Sequence, residues 1–291
     1  MKQNYMFDLD ELMASLRVEQ LDDLLFRGNS LPLKLPQVYG GQVMAQSLYA
    51  AACTVEADRL PHSLHGFFLR RGDVTRPIIF DVDPIRDGGS FTTRRVVAKQ
   101  NGKAIFNCAV SFQKLEEGLE HQFDMPEGIP LPEELERDVD RFERYLNEHP
   151  ERPIPFQIPV DVIDIRAVNP RNPHDPQAGE MEQGFWFKMV PRLDDQLIDH
   201  LTLLTYISDL GFMGTALRAH PVNFMVKGFQ GASLDHAMWF HTQCRVDEWL
   251  YYHMDSPRSA HARGFNRGSI YSRDGVLVAS TAQEGLMRLR K

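Results

Sequence analysis

The sequence lacks any run of about 18 consecutive apolar residues, the length that a helix needs to cross a bilayer. Its opening segment, MKQNYMFDLDELM, is acidic and has no apolar core, so we expect neither a secretory signal nor a transit peptide. Cysteine is also scarce, with Cys53, Cys108 and Cys244 as the whole set. An odd and widely spaced set is typical of free thiols in a reducing compartment. These absences predict a cytoplasmic protein without a membrane span.

Positive charge is in deficit. The chain has 32 Lys and Arg against 40 Asp and Glu, which gives a formal net charge of −8. Nucleic-acid-binding proteins neutralise phosphates with clustered basic side chains, so this balance argues against a nucleic-acid partner. Any polyanionic ligand would have to meet a local group of basic residues.

The signature motifs of several enzyme classes are missing too. No phosphate-binding or dinucleotide-binding glycine motif occurs, and the G-x-S-x-G pattern of serine hydrolases is absent. No H-E-x-x-H or C-x-x-C pattern suggests a metal site. We therefore expect neither a metal nor another cofactor, and we interpret His65 and His236 as core histidines.

The patterns that are present predict helices and strands in a globular chain with 43% hydrophobic and 25% charged residues. Helices are predicted at residues 9–17, 40–52 and 197–210. Strands are predicted at 24–27 (an edge strand), 62–70, 77–86, 90–100, 103–113, 160–168 and 185–190. Residues 114–155 are acidic and rich in proline, and we predict a linker there with some helix at 133–146.

The later segments repeat the earlier ones. SLDHAMWFH, which starts at Ser233, matches HSLHGFFL, which starts at His62, and its central histidine lies 171 residues after the earlier one. The Asp-Gly turn at 274–275 corresponds to the Asn-Gly hairpin turn at 101–102, an offset of 173 residues. Two matches at nearly one offset predict two similar α+β halves, each a long helix on an antiparallel sheet.

The stretch at residues 197–211, LIDHLTLLTYISDLG, carries the first candidate catalytic group. Its apolar residues recur at helical spacing, while Thr202, Thr205 and Asp209 fall on a second, polar face. Gly211 is expected to end the helix, which puts the Asp209 carboxylate at the negative end of the helix dipole. A carboxylate so placed gains basicity, which suits a general base that takes a proton from water.

Two further polar residues lie in apolar surroundings. Ser233 stands at the entry of a strand that is otherwise Leu, Met, Trp and Phe, and Gln283 shares a strand face with Thr281. Taken singly, each has an ordinary explanation as a capping or edge residue. Together, Asp209, Ser233 and Gln283 supply an acceptor, a hydroxyl and an amide, a set that can hold and deprotonate one water molecule.

Several segments resemble those of the acyl-CoA thioesterase II family: GGQVMAQ from Gly40, HSLHGFFLR from His62, SDL from Ser208, SLDHAMWFH from Ser233 and DGVLVASTAQEG from Asp274. The likeness covers nearly the whole chain apart from the acidic linker. It implies an α+β fold of the tandem hotdog type, in which each half is a long central helix wrapped by an antiparallel sheet. The halves would be residues 1–113 and 156–291, with the linker at 114–155 and the catalytic residues in the second half.

The resemblance also implies an activity, the hydrolysis of fatty acyl-CoA to free fatty acid and CoA by an activated water. Asp209 and Gln283 match the aspartate and glutamine of the family's triad, and Ser233 stands where the family often has threonine. The family usually forms oligomers, so we expect a homo-oligomer. Two alternatives stay open: a hotdog enoyl- or hydroxyacyl-CoA dehydratase, and a non-catalytic acyl-CoA-binding protein.

As a mechanism, we expect Asp209 to act as general base on a water that attacks the thioester, while a covalent route with Asp209 as nucleophile stays open. The tetrahedral oxyanion needs donors, and the backbone N–H of Gly41 is a candidate. Contacts to CoA phosphates are expected from basic residues at strand ends: Arg70, Arg71, Arg94, Arg95, Arg263 and Arg267. The first half has no carboxylate between Val38 and Ala52, so we expect one working site per chain.

Overall fold

Two long helices and one large antiparallel sheet make up most of the structure. The computed structural model describes residues 8–31, 33, 35–151 and 162–290. Its α-helices are α1 (Leu9–Leu16), α2 (Gly40–Ala52), α3 (Asp138–Glu148) and α4 (Leu197–Ser208). Short 3-10 helices occupy Pro132–Glu134 and Phe212–Leu217. The strands of the first half are β1 (Glu19–Asp22), β2 (Leu25–Gly28), β3 (Arg59–Phe68), β4 (Ile78–Asp87), β5 (Phe91–Gln100) and β6 (Lys103–Lys114). Those of the second half are β7 (Ile163–Ala167), β8 (Glu182–Met189), β9 (Phe229–Ser233), β10 (Asp235–Phe240), β11 (Leu250–Ala260), β12 (Arg263–Ser272) and β13 (Leu277–Leu289).

The sheet shows the predicted duplication in its strand order. The strands run β1-β2-β4-β5-β6-β3-β10-β13-β12-β11-β8-β7, and β9 pairs with β13 beside this path. Within the first half the order is β4-β5-β6-β3, and within the second it is the mirrored β10-β13-β12-β11. The halves join where β3 pairs with β10, with Gly66 opposite His236. This arrangement agrees with the expected tandem hotdog, in which each half places one long helix on its strands.

A single apolar core runs through both halves. It includes Leu48 of α2 and Leu204 of α4, together with Phe106 and Tyr252 from the sheet, all fully buried. From Asp199 to Ser208 every residue of α4 is buried, so the polar face predicted for this helix does not reach solvent. The Thr205 hydroxyl instead donates to the carbonyl of Leu201 at 2.8 Å, within the helix.

Most predicted elements are confirmed, and α2 has the predicted bounds. The strand predicted at 24–27 corresponds to β2, but its description as an edge strand is wrong because β1 pairs on its outer side. Strand β11 was not predicted. Residues 160 and 161, at the start of the strand predicted at 160–168, lie outside the described residues, and β7 covers residues 163–167 of it.

The described part of the predicted linker lies against the second half. Residues 115–131 contain no helix or strand, and the Trp186 indole N–H donates to the carbonyl of Pro130 at 2.9 Å. Met125 and Ile129 pack on a small apolar cluster that contains Trp186. Residues 152–161 lie outside the described part, and the division into residues 1–113, 114–155 and 156–291 stays a prediction. Among the described residues, every helix is too short or too polar to cross a membrane.

Candidate active site

The carboxylate of Asp209 lies where the end of one long helix meets the start of the other. Helix α4 stops at Ser208, and Gly211 takes the left-handed conformation that turns the chain into the next 3-10 helix. Asp209 Oδ2 accepts a hydrogen bond from the backbone N–H of Gly41 at 3.0 Å, in the first turn of α2. Its Oδ1 accepts from Nε2 of Gln283 at 2.7 Å. Both oxygens of this carboxylate are therefore held, one by each half of the molecule.

The glycine pair at the start of α2 makes this meeting of helices possible. A Cβ atom on Gly40 would lie 2.6 Å from Oδ2 of Asp209, and one on Gly41 would lie 2.3 Å from the carbonyl oxygen of Tyr206. Side chains at either position would push α4 away. The Gly41 N–H, predicted from the sequence as a donor to an oxyanion, donates to Asp209 in this structure.

Burial raises the pKa of Asp209 to about 6, and the hydrogen bonds from Gln283 and Gly41 limit the increase. Removal from water disfavours the charged form of a carboxyl group, whereas donors that face it favour that form. The raised pKa thus comes from burial rather than from the dipole of α4, the cause predicted from the sequence. A carboxyl group with a pKa near 6 is ionised at neutral pH and still basic enough to accept a proton.

Two tyrosines close the end of α4 next to this carboxylate. The Tyr39 hydroxyl donates to the carbonyl of Tyr206 at 3.0 Å, and the Tyr252 hydroxyl donates to the carbonyl of Ser208 at 2.9 Å. Burial and the nearby Asp209 charge raise the pKa of both Tyr39 and Tyr252 well above the ordinary value, so both hydroxyls stay protonated. These bonds satisfy carbonyls that a helix end leaves without partners, and so they fix the position of Asp209.

A buried chain of hydrogen bonds orients the amide of Gln283. The Ser208 hydroxyl donates to the Thr205 carbonyl at 2.8 Å, so its oxygen can accept from Nε2–H of His236 at 3.1 Å. The other ring nitrogen, Nδ1, then accepts from Nε2 of Gln283 at 3.2 Å. Burial lowers the pKa of His236 to about 3, so the ring is neutral. Because both hydrogens of the Gln283 amide nitrogen are directed, one to His236 and one to Asp209, the amide has one orientation.

This role of His236 was not predicted from the sequence. It is buried as predicted, with 1% of its surface exposed, but it contacts the site. The matching His65 was also predicted to be a core residue, and that is wrong: it is exposed and packs edge-on against Trp239. A histidine in an apolar strand gave no sequence signal beyond the repeat, because its polar partners come from distant segments.

Ser233 lies on the same face of the sheet as Gln283. Its Cα partner is Gly285, two residues beyond Gln283 on β13. Ser233 of β9 and Gln283 of β13 are therefore diagonal neighbours on two paired strands, a relation that typically places residues roughly 7–8 Å apart. Among the described residues, its hydroxyl makes no hydrogen bond to Asp209 or Gln283. At Leu234, between β9 and β10, the pairing with β13 shifts by one residue, because Ser233 pairs with Gly285 whereas Ala237 pairs with Ala282. Such an irregularity re-aims nearby side chains and is common beside active sites.

The candidate arginines are not brought together. Arg263 and Arg267 alternate with the buried positions of β12, lie on its outer face and pair with Glu284 and Asp255. Arg94 is buried and paired with Asp87, and Arg95 pairs with Asp83, so neither faces the site.

Arg70 and Arg71 are exposed just after β3. The next residue, Gly72, accepts at its carbonyl from the Val38 N–H at 3.0 Å, which places this loop beside the start of α2.

Open space on the surface does not mark the site. A cleft of about 690 Å³ is lined by His200, Trp249 and Arg273 among others, and it contains none of the three predicted catalytic residues. Among the described residues, no group of three or more His, Cys, Asp or Glu is placed to hold a metal ion. Asp209, Gln283 and Gly41 instead meet at a separate, buried place.

Comparisons with known proteins decide the family. The family model described as Acyl-CoA thioesterase matches residues 160–286, and the one described as Acyl-CoA thioesterase N-terminal domain matches residues 32–113. Acyl-coenzyme A thioesterase 8 from Mus musculus is 41% identical, with 94% of this chain and 88% of that protein covered. The chain belongs to the acyl-CoA thioesterase family.

Bacterial relatives extend this result. Acyl-CoA thioesterase 2 from Haemophilus influenzae is 36% identical over 96% of this chain and 98% of its own. The crystal structure of an acyl-CoA thioesterase II from Mycobacterium marinum superimposes with a TM-score of 0.77 at 38% identity, covering 96% of this chain and 99% of that one. A hot dog fold protein from Alicyclobacillus acidocaldarius, at 18% identity and a TM-score of 0.71, shows the fold alone. The fold is the tandem hotdog, and this member of the thioesterase family is a thioester hydrolase; the dehydratase and binding-protein alternatives are not favoured.

Proposed function

We propose that this chain hydrolyses fatty acyl-CoA with a water molecule that Asp209 deprotonates. The observation that carries the proposal is the buried carboxylate of Asp209, with a pKa of about 6, held by Gln283 from one side and by Gly41 from the other. A base fixed in this way is already in position before the reaction, so little entropy is lost in reaching the reactive geometry.

The reaction proceeds by direct addition of water. Asp209 takes a proton as the water oxygen bonds to the thioester carbon, which gives a tetrahedral intermediate. When the intermediate collapses, the C–S bond breaks and Asp209 returns the proton to the sulfur, so free acid and CoA thiol leave. A thiol has a pKa of about 8.5, so its departure needs little help from an acid.

Ser233 and Gln283 supply the remaining contacts of the water in this proposal. The Gln283 amide nitrogen is committed to Asp209 and His236, so its carbonyl Oε1 is the atom left to accept a hydrogen from water. Ser233, on the paired strand β9, is a diagonal neighbour of Gln283 on the same sheet face and has a hydroxyl that can donate or accept. The water would sit between them, beside Asp209.

The CoA portion would enter along the start of α2. Arg70 and Arg71 are exposed on the loop beside this helix end and can meet phosphates there, whereas Arg263 and Arg267 are paired on the outer face. We also propose a homo-oligomer in the cytoplasm. Phe67 and Phe265, exposed by 57% and 37% on the outer face of the central strands, support self-association.

The test is thiol release from acyl-CoA by three variants. Asp209→Asn should lower kcat by roughly 10²–10⁴-fold, because the base is lost while the residue keeps its size. Ser233→Ala should lower kcat, and Ser233→Thr, which keeps the hydroxyl, is the matched control and should retain most of it. Circular dichroism and thermal unfolding establish that the variants fold. Unchanged turnover in folded Asp209→Asn would overturn the mechanism.

A further inference from the structure

The inner face of the sheet has little side-chain cover beside Ser233. Ser233 of β9 pairs with Gly285 of β13, and Gly285 pairs in turn with Gly264 of β12. The next residue of β9 on this face is Gly231, which pairs with Met287. Glycine within a strand often marks a place where a ligand or another part of the chain comes close. The glycines at 231 and 285 form the floor of a trough that begins at Ser233.

The side chain of Met213 lies in this trough. A Cβ atom added to Gly285 would be 2.7 Å from Cγ and 2.8 Å from Sδ of Met213. One added to Gly231 would be 2.9 Å from Cε of the same side chain. The thioether therefore covers both glycines, starting at the strand pair that contains Ser233. Met213 is only partly buried, unlike the core residues around it.

Met213 is placed on a segment that allows it to move. It belongs to the 3-10 helix Phe212–Leu217, which follows Asp209 and begins after Gly211, a residue with a φ of 68°. The hydrogen bonds of 3-10 helices have poorer geometry than those of α-helices, and a methionine side chain has three rotatable bonds. Phe212 holds the start of this helix, since it is fully buried and packs edge-on against His236. The Met213 thioether can thus leave the trough while the start of the helix stays in place.

The far end of the trough is apolar and reaches solvent. Ring atoms of Phe229 and Phe224 lie 2.9 and 3.1 Å from the position of an added Cβ on Gly231, and Phe224 is 38% exposed. Phe229 precedes Ser233 by four residues of β9, which is about 13 Å of extended strand. Carbon–carbon bonds of about 1.5 Å cover that distance with roughly ten carbons. The trough therefore has the length and the lining of a place for an alkyl chain.

The other directions away from Ser233 are polar. In the proposed reaction the attacked water lies between Ser233 and Gln283, so the thioester carbon lies next to them. Asp209 and the first turn of α2 are on the helix side, and the Gln283 amide is on the sheet. An alkyl chain that starts at this carbon meets apolar groups in the direction of Gly285 and Met213.

We propose that the acyl chain of the substrate lies in this trough, and that Met213 controls which chain lengths are accepted. A chain of two carbons ends beside Ser233 and leaves the thioether where it is. A longer chain has to displace the thioether and then packs between it, the two glycines and Phe229. This inference rests on the proposed function, because the position of the water fixes where the chain begins.

The experiment compares the wild type with Gly231→Ala, Met213→Ala and the double variant. Two controls make the same chemical changes elsewhere. Gly89→Ala adds a Cβ that would have nothing within 4 Å, and Met125→Ala shortens a partly buried methionine of the linker, which lies near Gly275. The probes are saturated acyl-CoAs with two and with ten carbons, and kcat/KM is measured by thiol release. Thermal unfolding establishes that each variant folds.

Gly231→Ala should lower the ratio of kcat/KM for the ten-carbon to the two-carbon substrate at least about tenfold, because its methyl group takes the space of the chain. Met213→Ala should raise this ratio about threefold or more, since no thioether has to be displaced. In the double variant, the ratio should rise above that of Gly231→Ala by more than Met213→Ala alone raises it, because the two positions compete for one space. The controls should leave the ratio unchanged.

An equal loss on both substrates in Gly231→Ala would overturn the inference, because it would mean that this glycine only supports the fold. So would a double variant in which the two single effects simply combine, since the two residues would then not share the space of the chain. Absence of thiol release from both substrates by the wild type would instead contradict the proposed function, and the two failures are therefore distinct.

Discussion

At the scale of single residues, the main feature is the Asp209 carboxylate, because some of its surroundings raise its pKa and others lower it. Burial raises the pKa of Asp209, while the donors from Gln283 and Gly41 lower it, and the balance lies at about 6. Since the folded-state value lies above the ordinary 3.8, ionisation of Asp209 opposes folding as the pH rises from about 4 to about 6. At pH values above that interval, the raised pKa lowers the free energy of unfolding by its full amount, about 3 kcal/mol. Such a cost is typical of groups that are kept for their chemistry.

The activity should follow the ionisation of Asp209. In the free enzyme, kcat/KM should rise with pH up to about 6 and then level off, because only the ionised carboxylate accepts a proton. Thiol release measured from pH 4.5 to 8 with one acyl-CoA checks this. His236, whose pKa is lowered to about 3, should cause no further rise or fall of kcat/KM in that pH range. A profile that is flat down to pH 5 would contradict the assigned base.

At the scale of elements, the site is made by the ends of two helices and by strands from one sheet. One amide hydrogen of Gln283 is donated to Asp209 and the other to His236. From His236 the donation continues in one direction, to the Ser208 hydroxyl and from there to the Thr205 carbonyl. A reversal of the Gln283 amide would place its oxygen against the lone pair of His236 Nδ1. Helix α4 and strands β10 and β13 therefore have to keep their register for the base to be held.

Replacement of His236 should disturb turnover more than substrate binding. His236→Phe keeps an aromatic ring but removes the acceptor for Gln283, and we expect kcat to fall roughly tenfold or more with a smaller change in KM. His236→Asn restores a polar partner near the former Nδ1 and should recover part of the loss. Steady-state kinetics of thiol release measure both.

The matched control is His65→Phe, at the corresponding motif position of the first half. His65 is exposed on the outer face, so turnover should be unchanged. If His236→Phe kept the wild-type kcat, or if His236→Asn were no better than His236→Phe at equal stability, the orienting role of His236 would be wrong.

Much of the architecture could be predicted from local pattern, because helical spacing and hairpin turns are encoded in neighbouring residues. Residues 40–52 and the strands around Asn101-Gly102 are examples. Strand β11 was missed because its Pro257 and polar second half obscure the apolar run at its start. Asp209 and Gln283 could be selected by their polarity in apolar surroundings, and the structure joins them.

What the sequence could not predict depends on contacts between distant segments. The Gly41 N–H looked free for a ligand because its partner lies 168 residues away. For Asn266, nothing in the segment GFNRG indicates a buried side chain whose amide has no hydrogen-bond partner in the described part of the chain. The arginines were chosen by their positions at strand ends, and strand alternation then placed Arg263 and Arg267 on the outer face.

At the scale of the whole molecule, the two halves share a topology but differ in the side chains at matching positions. Where the second half pairs Asn266 with Gln283, the first pairs Arg94 with Val110. Arg94 bonds to Thr54 at the end of α2 and to Asp87, so it closes the corresponding space. That each chain has one working site stays a prediction. It is supported by the buried arginine that the first half has where the second half has an amide.

Arg94 should therefore matter for stability rather than for catalysis. Arg94→Met should lower the free energy of unfolding by roughly 2–4 kcal/mol, since several charge-assisted hydrogen bonds are lost from a buried position. The adjacent Arg95→Met, which removes an exposed ion pair with Asp83, should change it by about 0.5 kcal/mol or less. Urea unfolding measures both, and the folded Arg94→Met enzyme should keep its kcat. Equal stability of the two variants would contradict this account.

The pairing of β3 with β10 has a consequence for how the enzyme responds to dilution. The donor at Gly41 and the acceptor at Asp209 belong to different halves, yet one covalent chain and one sheet hold them together. In two separate subunits, the same pair would come apart when the protein became scarce. Here the effective concentration of one partner around the other is set by the polypeptide itself, so the catalytic geometry survives at any abundance of the protein in the cell.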